Sequence, residues 1–182
     1  NYVEVDKQFE AFLKVLKPLK NLGILYNPGE ANSVTLVEKM QESAKKYGIT
    51  LVLASASKTA EVLAASQSLV GKVDAIFINN DNTALAAFDS VVKVGEQNNI
   101  PIFVSDVDFV SRGALAALGP DQYALGRQAG KMIIKALKDR LPVSKIPVEW
   151  PDEVQLKINF DVARKLGIQF VNQLDNGQEA AN

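Results

Sequence analysis

The stretch VDAIFINNDNT, residues 73–83, indicates how the whole chain folds. Its apolar run 75–78 shows no alternation, which is typical of a strand covered on both faces of a parallel sheet. Five polar residues, 79–83, follow at once, and apolar residues then recur with helical spacing. The stretch therefore predicts a buried strand, a polar turn at its carboxyl end and a helix.

The polar turn 79–83 has two interpretations. Asn80 or Asp81 could simply cap the following helix, as such residues commonly do. The turn could also bind a ligand, because ligands of open α/β sheets bind at the carboxyl ends of the strands. Free N–H groups at the start of a helix hold negative groups. One turn alone does not decide between the two, so the remaining turns matter.

Other segments repeat this organisation. Further apolar strands are predicted at 22–26, 50–54, 100–104 and 115–118. The sequence also predicts helices at 5–17, from Asn32 or Ser33 to Gly48, at 59–69, at 82–96, from Pro120 to 137, and after Asp161. The alternation indicates an α/β fold, a doubly wound parallel sheet with flanking helices. Segment 154–160 alternates between apolar and polar residues, which predicts a half-exposed strand at an edge.

Polar side chains follow the first four predicted strands, where carboxyl ends of parallel strands meet. Such a set can hold a small polar ligand through neutral and charge-assisted hydrogen bonds. Turns of this kind also contain Asn, Ser and Asp for purely structural reasons. The candidate ligand-binding residues are Asn27, Asn32, Ser33, Ser55, Asn80, Asp81, Asn82, Thr83 and Asp106.

Composition narrows the classes of function. The 182 residues can form one domain or two small lobes. With 20 basic and 21 acidic residues the chain has no basic excess, so nothing in its charge indicates a nucleic-acid partner. The chain has no Cys and no His, which removes thiol nucleophiles, disulfides and the commonest general base. Neither G-x-G-x-x-G nor a P-loop occurs. These absences disfavour a nucleotide enzyme and leave carboxylates, Lys, Tyr, Ser or Thr for any catalysis. No set of residues demands chemistry, so we expect a protein without catalysis, cofactor or metal site.

A resemblance to a known family rests on ordered sequence blocks. YNPGEANS, residues 26–33, resembles the first-strand signature of the ABC-transporter substrate-binding proteins, a family that includes tryptophan- and other aromatic amino-acid-binding members. Matching blocks follow in order: KVDAI at 72–76, DNT at 81–83, SD at 105–106, RGALA at 112–116, LGRQAG at 125–130 and IPVE at 146–149. The resemblance runs from about residue 5 to residue 168.

The resemblance implies one lobe of a type I periplasmic-binding-protein-like fold, in which two lobes close on a ligand. Such proteins are nearly twice this length, so the chain is expected to be the C-terminal portion. Residues 1–119 would form the main α/β lobe, and 120–145 a helix and connector that pack on the missing N-terminal lobe. Residues 146–170 would return as a strand and short helix, and 171–182 would be a flexible tail.

The implied function is a solute-binding component of an ABC importer, with an amino acid or similar small polar molecule as ligand. Asn32, Ser33, Asn82 and Thr83 would donate to a carboxylate or polar group. Asp81 and Asp106 would bind an ammonium, unless each serves as a helix cap.

The resemblance also implies partners and a location. The partners would be a membrane permease and the missing lobe, with self-association of this fragment. The location would be periplasmic or extracytoplasmic, with a lipid anchor conceivable. Asn1 is not an initiator Met, which indicates a processed chain or part of a longer one.

Two alternatives remain open. One is the ligand-sensing core of a transcriptional regulator with the same fold, which would need a DNA-binding motif upstream. The other is an enzyme that works through carboxylates or Lys.

Overall fold

Six strands form one sheet in a computed structural model that describes residues 3–138 and 142–168. The strands are β1 (Asn21–Tyr26), β2 (Thr50–Ser55), β3 (Ala75–Ile78), β4 (Ile102–Val104), β5 (Ala116–Pro120) and β6 (Val154–Ile158). Their order in the sheet is β2-β1-β3-β4-β5-β6. The first five are parallel and β6 is antiparallel to β5, at the edge. The predicted parallel sheet and edge strand are both confirmed.

Helices cover both faces of the sheet. They are α1 (Val5–Val15), α2 (Ala31–Ala44), α3 (Val62–Gln67), α4 (Asn82–Ala86), α5 (Phe88–Asn98), α6 (Gln122–Lys138) and α7 (Phe160–Lys165). Short 3-10 turns occupy Lys45–Tyr47, Thr59–Glu61, Val107–Arg112 and Val143–Lys145. The chain winds outward from β1 to β2 and then returns past β1 to β3, so its direction reverses between β1 and β3. Ligands of such sheets bind beside that reversal.

Strand β3 shows why the apolar run does not alternate. Phe77 packs on one face, where the ring of Phe12 in α1 lies 5.1 Å from it and stacks 4.4 Å from Phe103. Ile76 and Ile78 point to the other face and belong to a second buried cluster with Phe88 and Val91 of α5. Because every β3 side chain is buried, burial on both faces is confirmed for the strand on which the fold prediction rests.

Several helices differ from their predicted extents: the helix predicted over 5–17 ends at Val15, and the one predicted over 59–69 is a 3-10 turn followed by α3. The helix predicted over 82–96 is broken at Ala87, where α4 ends and α5 begins. Pro120 was predicted in the first turn of the long helix, but it is the last residue of β5 and pairs with Val154 of β6. Pairing with β6 extends β5 as far as Pro120 and so places this residue in the sheet. The helix then starts at Gln122, with the Asp121 carboxylate accepting a hydrogen bond from the Ala124 N–H.

The predicted caps of two other helices are also wrong. Helix α2 begins at Ala31, so Asn32 and Ser33 lie inside its first turn and Glu30 precedes it. Asn159, not Asp161, caps α7 by accepting from the Val162 N–H at 3.0 Å. Each helix therefore begins before the residue that was predicted to cap it. The predicted flexible tail, 171–182, lies outside the described residues.

Helix α6 and its connector are held together but present an apolar outer face. Within the helix only Gln128 is buried, and its amide bonds the Glu149 carboxylate, the Trp150 carbonyl and the Asp152 N–H. The exposed side chains of the helix include Tyr123, Ile133, Ile134 and Leu137. We define these four residues as the α6 apolar face.

Close packing at Gly119 gives a test of the sheet. A Cβ added at Gly119 would collide with the Ser105 carbonyl oxygen, so Gly119→Ala should lower the free energy of unfolding by roughly 1–3 kcal/mol. Gly126→Ala on α6 is the control, because nothing lies within 4 Å of its added Cβ and helix propensity should stabilise it by about 0.5–1 kcal/mol. Urea unfolding measures both. Equal effects would contradict this β4–β5 packing.

Candidate functional site

The carboxylate of Asp81 joins the first and third turns at the carboxyl edge of the sheet. Its Oδ1 accepts from the Ala84 N–H at 2.8 Å, which caps α4 as predicted. Its Oδ2 accepts from the Ser33 hydroxyl at 2.7 Å and from the Asn27 N–H at 2.6 Å. Asp81 is 0% exposed. A ligand ammonium would therefore have to compete with three internal donors for this carboxylate.

Glu30 makes a second bridge between the same turns. Its Oε2 accepts from the N–H and side-chain amide of Asn82 at 3.0 and 2.9 Å. Its Oε1 accepts from the N–H and hydroxyl of Thr83 at 3.0 and 2.9 Å. Partial burial raises the pKa of Glu30, but these four bonds outweigh it and hold the pKa below its ordinary value. Four donors on one carboxylate fix α4 against the start of α2.

The structure brings seven of the nine predicted site residues together, and we name them the turn network. Hydrogen bonds link five of them directly or through Glu30, and Asn32 bonds the Asn80 carbonyl. Its members are Asn27, Asn32, Ser33, Asn80, Asp81, Asn82 and Thr83. Ser55 is exposed at the end of the edge strand β2. Asp106 caps the 3-10 turn after β4 by accepting from the Asp108 N–H at 3.0 Å. Ser55 and Asp106 therefore lie outside the network.

A cleft of about 400 Å³ opens beside this network. It is lined by Val3, Gln8, Ala31, Asn32, Thr35, Leu36, Lys39, Asn79, Asn80, Ser105 and Pro120. Only Asn32 and Asn80 among the nine predicted residues line it, and the Asn32 amide donates to the Asn80 carbonyl at 2.9 Å. The cleft thus combines amide and hydroxyl groups with apolar walls, which is the usual make-up of a small-molecule site.

Five polar lining residues were not among the nine candidates: Gln8, Thr35, Lys39, Asn79 and Ser105. Asn79 and Ser105 are the first polar residues after β3 and β4, so their position alone could have identified them. Gln8 belongs to α1, which precedes the first strand, and only the folding of α1 over the sheet brings it to the cleft.

The described residues contain no group of three acidic, His or Cys side chains placed to hold a metal ion. None of the described helices has the length and apolar character needed to cross a membrane.

The Glu30 bridge predicts a pH-dependent stability. The pKa of Glu30 is lower in the folded state than in the unfolded state, where it is about 4.3. The stabilisation that the bridge provides is therefore complete above about pH 4.3 and is lost as the pH falls through the folded-state pKa. Glu30→Gln should therefore lower the melting temperature at neutral pH, and the difference from the unaltered chain should shrink in acid. Glu38→Gln, at an exposed position on the same helix, is the control. A deficit that persisted unchanged in acid would contradict a bridge made by the ionised carboxylate.

Known proteins match the chain along nearly its whole length. A family model described as ABC transporter substrate binding protein matches residues 1–179. A tyrosine-binding protein of Clostridioides difficile is 36% identical over 169 residues, which cover 93% of this chain and 49% of that protein. The chain therefore spans about half the length of this curated relative.

Solved structures agree with the sequence matches. A conserved domain protein from Vibrio cholerae is 35% identical with a TM-score of 0.85, covering 92% of this chain and 56% of that one. An ABC domain from Streptococcus pneumonia in complex with L-Trp is 32% identical with a TM-score of 0.83, covering 92% and 58%. A LacI family regulator from Bifidobacterium animalis shares the fold alone, at 16% identity and a TM-score of 0.64.

These matches confirm the resemblance found in the sequence blocks. They also confirm the prediction of a binding protein rather than an enzyme, because the family consists of substrate-binding proteins. The chain belongs to the ABC transporter substrate binding protein family.

Proposed function

We propose that this chain is one ligand-binding lobe of an importer's solute receptor and that its ligand is an aromatic amino acid. The observation that carries the proposal is the cleft of about 400 Å³ at the carboxyl edge of the sheet. Its apolar walls suit a ring, and its amides and hydroxyls suit polar groups. The tyrosine-binding relative and the L-Trp complex support the same ligand class.

Within this proposal the residues divide between contact and support. Asn32, Asn79, Asn80 and Ser105 line the cleft and would contact the ligand. Asn27, Ser33, Asp81, Asn82 and Thr83 would act by holding the turns in place, because their polar groups bond within the turn network. Asp106 follows the lining residue Ser105 and is the candidate for the ligand ammonium at the rim, whereas Ser55 lies on the far edge strand.

The proposal also assigns a second lobe. The chain corresponds to about half of its curated relative, and the α6 apolar face is exposed in this half. We propose that the other half packs on this face and closes over the cleft. Closure of the two lobes would be the signal that a membrane permease reads. This role requires a location outside the cytoplasmic membrane, where a lipid anchor would keep the receptor near its permease.

The regulator alternative gains no specific support. Its likeness is limited to the fold, and fold alone does not determine function.

Calorimetry on the complete two-lobed protein tests the proposed ligand. It should bind tyrosine or tryptophan and ignore glucose, and the present chain alone should bind either amino acid far more weakly because half of the contacts are missing. Asn32→Ala in the complete protein should weaken binding by about 1–3 kcal/mol if a ligand group loses its partner. Asn98→Ala is a matched control, because that amide also donates to a carbonyl at 2.9 Å but lies at the opposite edge of the sheet.

The outcomes separate the parts of this proposal. Failure of the complete protein to bind any aromatic amino acid would reject the ligand class. Tight binding by the present chain alone would reject the need for a second lobe. Equal losses in Asn32→Ala and Asn98→Ala would place the ligand elsewhere.

The α6 apolar face gives a prediction for this chain in isolation. Large exposed apolar patches are uncommon on stable monomers, so the chain should self-associate in light scattering as its concentration rises. Replacing both Ile133 and Leu137 by Gln should favour the monomer, whereas Lys131→Gln on the same helix should not. A monomer at every concentration would contradict a missing partner for this face.

A further inference from the structure

Two buried polar atoms in the described residues have no hydrogen-bond partner in the protein. They are Oε1 of Gln8, on α1, and Oγ of Ser105, at the end of β4. Gln8 is 2% exposed and Ser105 is 6% exposed, and both line the same cleft. Buried polar groups are nearly always paired, and an unpaired one destabilises the fold. Two such atoms from distant segments in one cleft indicate a ligand that supplies the missing bonds.

The chemistry of the two atoms defines the group they need. The Gln8 amide nitrogen donates to the Val3 carbonyl at 3.3 Å, which directs the nitrogen there and leaves the amide oxygen free. An amide oxygen accepts and never donates, so it needs a donor from the ligand. The Ser105 hydroxyl can either accept or donate. A ligand O–H or N–H can therefore satisfy Gln8, and a ligand hydroxyl can in addition accept from Ser105, which a donor-only N–H cannot.

The surroundings favour a neutral donor over an ammonium. No carboxylate occurs among the described residues that line the cleft, and Lys39 is the one ionisable residue there. A cation bound to these two atoms would have no negative partner among the lining residues, which is costly once water is excluded. Val3, Ala31, Leu36 and Pro120 supply apolar wall, which suits a ring carrying a single polar group.

We propose that Gln8 and Ser105 are specificity-determining residues for an aromatic amino acid: Gln8 accepts from a phenolic O–H or an indole N–H, and Ser105 donates to the phenolic oxygen. The inference rests on the proposed function and adds a selection rule to it. Tyrosine would satisfy both atoms, tryptophan would satisfy Gln8 alone, and phenylalanine would leave both unpaired. A site built to bond a ligand hydroxyl discriminates strongly against the analogue that lacks it.

Ser105→Ala is the sharpest variant, because its hydroxyl has no bond within the protein. The substitution should leave the melting temperature of the ligand-free protein unchanged or slightly raised. Ser33→Ala is the matched control, another buried serine whose hydroxyl bonds Asp81 at 2.7 Å and Asn79 at 3.3 Å. That variant should lower the melting temperature without ligand.

Calorimetry of the complete protein with tyrosine, tryptophan and phenylalanine then tests the selection rule. The unaltered protein should bind phenylalanine at least about tenfold more weakly than tyrosine, since an unpaired buried group carries a penalty of that order. Ser105→Ala should weaken tyrosine binding by about fivefold or more and leave phenylalanine binding unchanged. Gln8→Met, which keeps the length of the side chain but removes the acceptor, should reduce the difference in affinity between tyrosine and phenylalanine.

The results distinguish this inference from the proposed function. Equal binding of tyrosine and phenylalanine by the unaltered protein would overturn the polar subsite and leave the ligand class intact. An equal loss of both ligands in Ser105→Ala would do the same, because it would indicate a change of shape. Absence of binding by all three amino acids would reject the proposed function itself.

Discussion

The buried carboxylate of Asp81 is the interaction on which the site geometry depends. It accepts from an N–H of its own helix, from the Asn27 backbone and from the Ser33 hydroxyl, so one side chain ties α4 to the turn after β1 and the first turn of α2, 54 and 48 residues away in sequence. A fully buried charge is stable only when donors surround it. Removing any one of these donors would leave the charge less well compensated. The carboxylate and its three donors therefore depend on one another.

Glu30 strengthens the same junction from the other side. It satisfies N–H groups of Asn82 and Thr83 at the start of α4, where the first turn of a helix lacks internal partners. The two carboxylates therefore fix the relative positions of α2 and α4. Those helices flank the reversal in chain direction between β1 and β3, where α/β proteins form their ligand crevices.

The sequence predicted the sheet well because burial on both faces leaves a clear pattern. Strand β3 is an uninterrupted apolar run, and its neighbours repeat that pattern with helices between them. Boundaries were harder. Pro120 looked like a helix start, yet pairing with β6 extended β5 through it, and such tertiary pairing leaves no local signal. For the candidate site, polar residues at strand ends pointed to the edge of the sheet where the cleft lies. They could not reveal whether Asp81 faces a ligand or its own helix, or that Gln8 reaches the cleft from α1.

The turn network has a consequence for how ligand preference can change over evolution. Residues such as Ser33 and Asp81 are mutually dependent, so a single substitution there disturbs several bonds at once and its effects will not add simply to others. Gln8 and Ser105 each leave an atom outside that network, although they line the same cleft. A fixed frame thus lies beside the cleft, and replaceable side chains lie on its wall. New ligand preferences could arise by single replacements in the second group, with the fold left undisturbed.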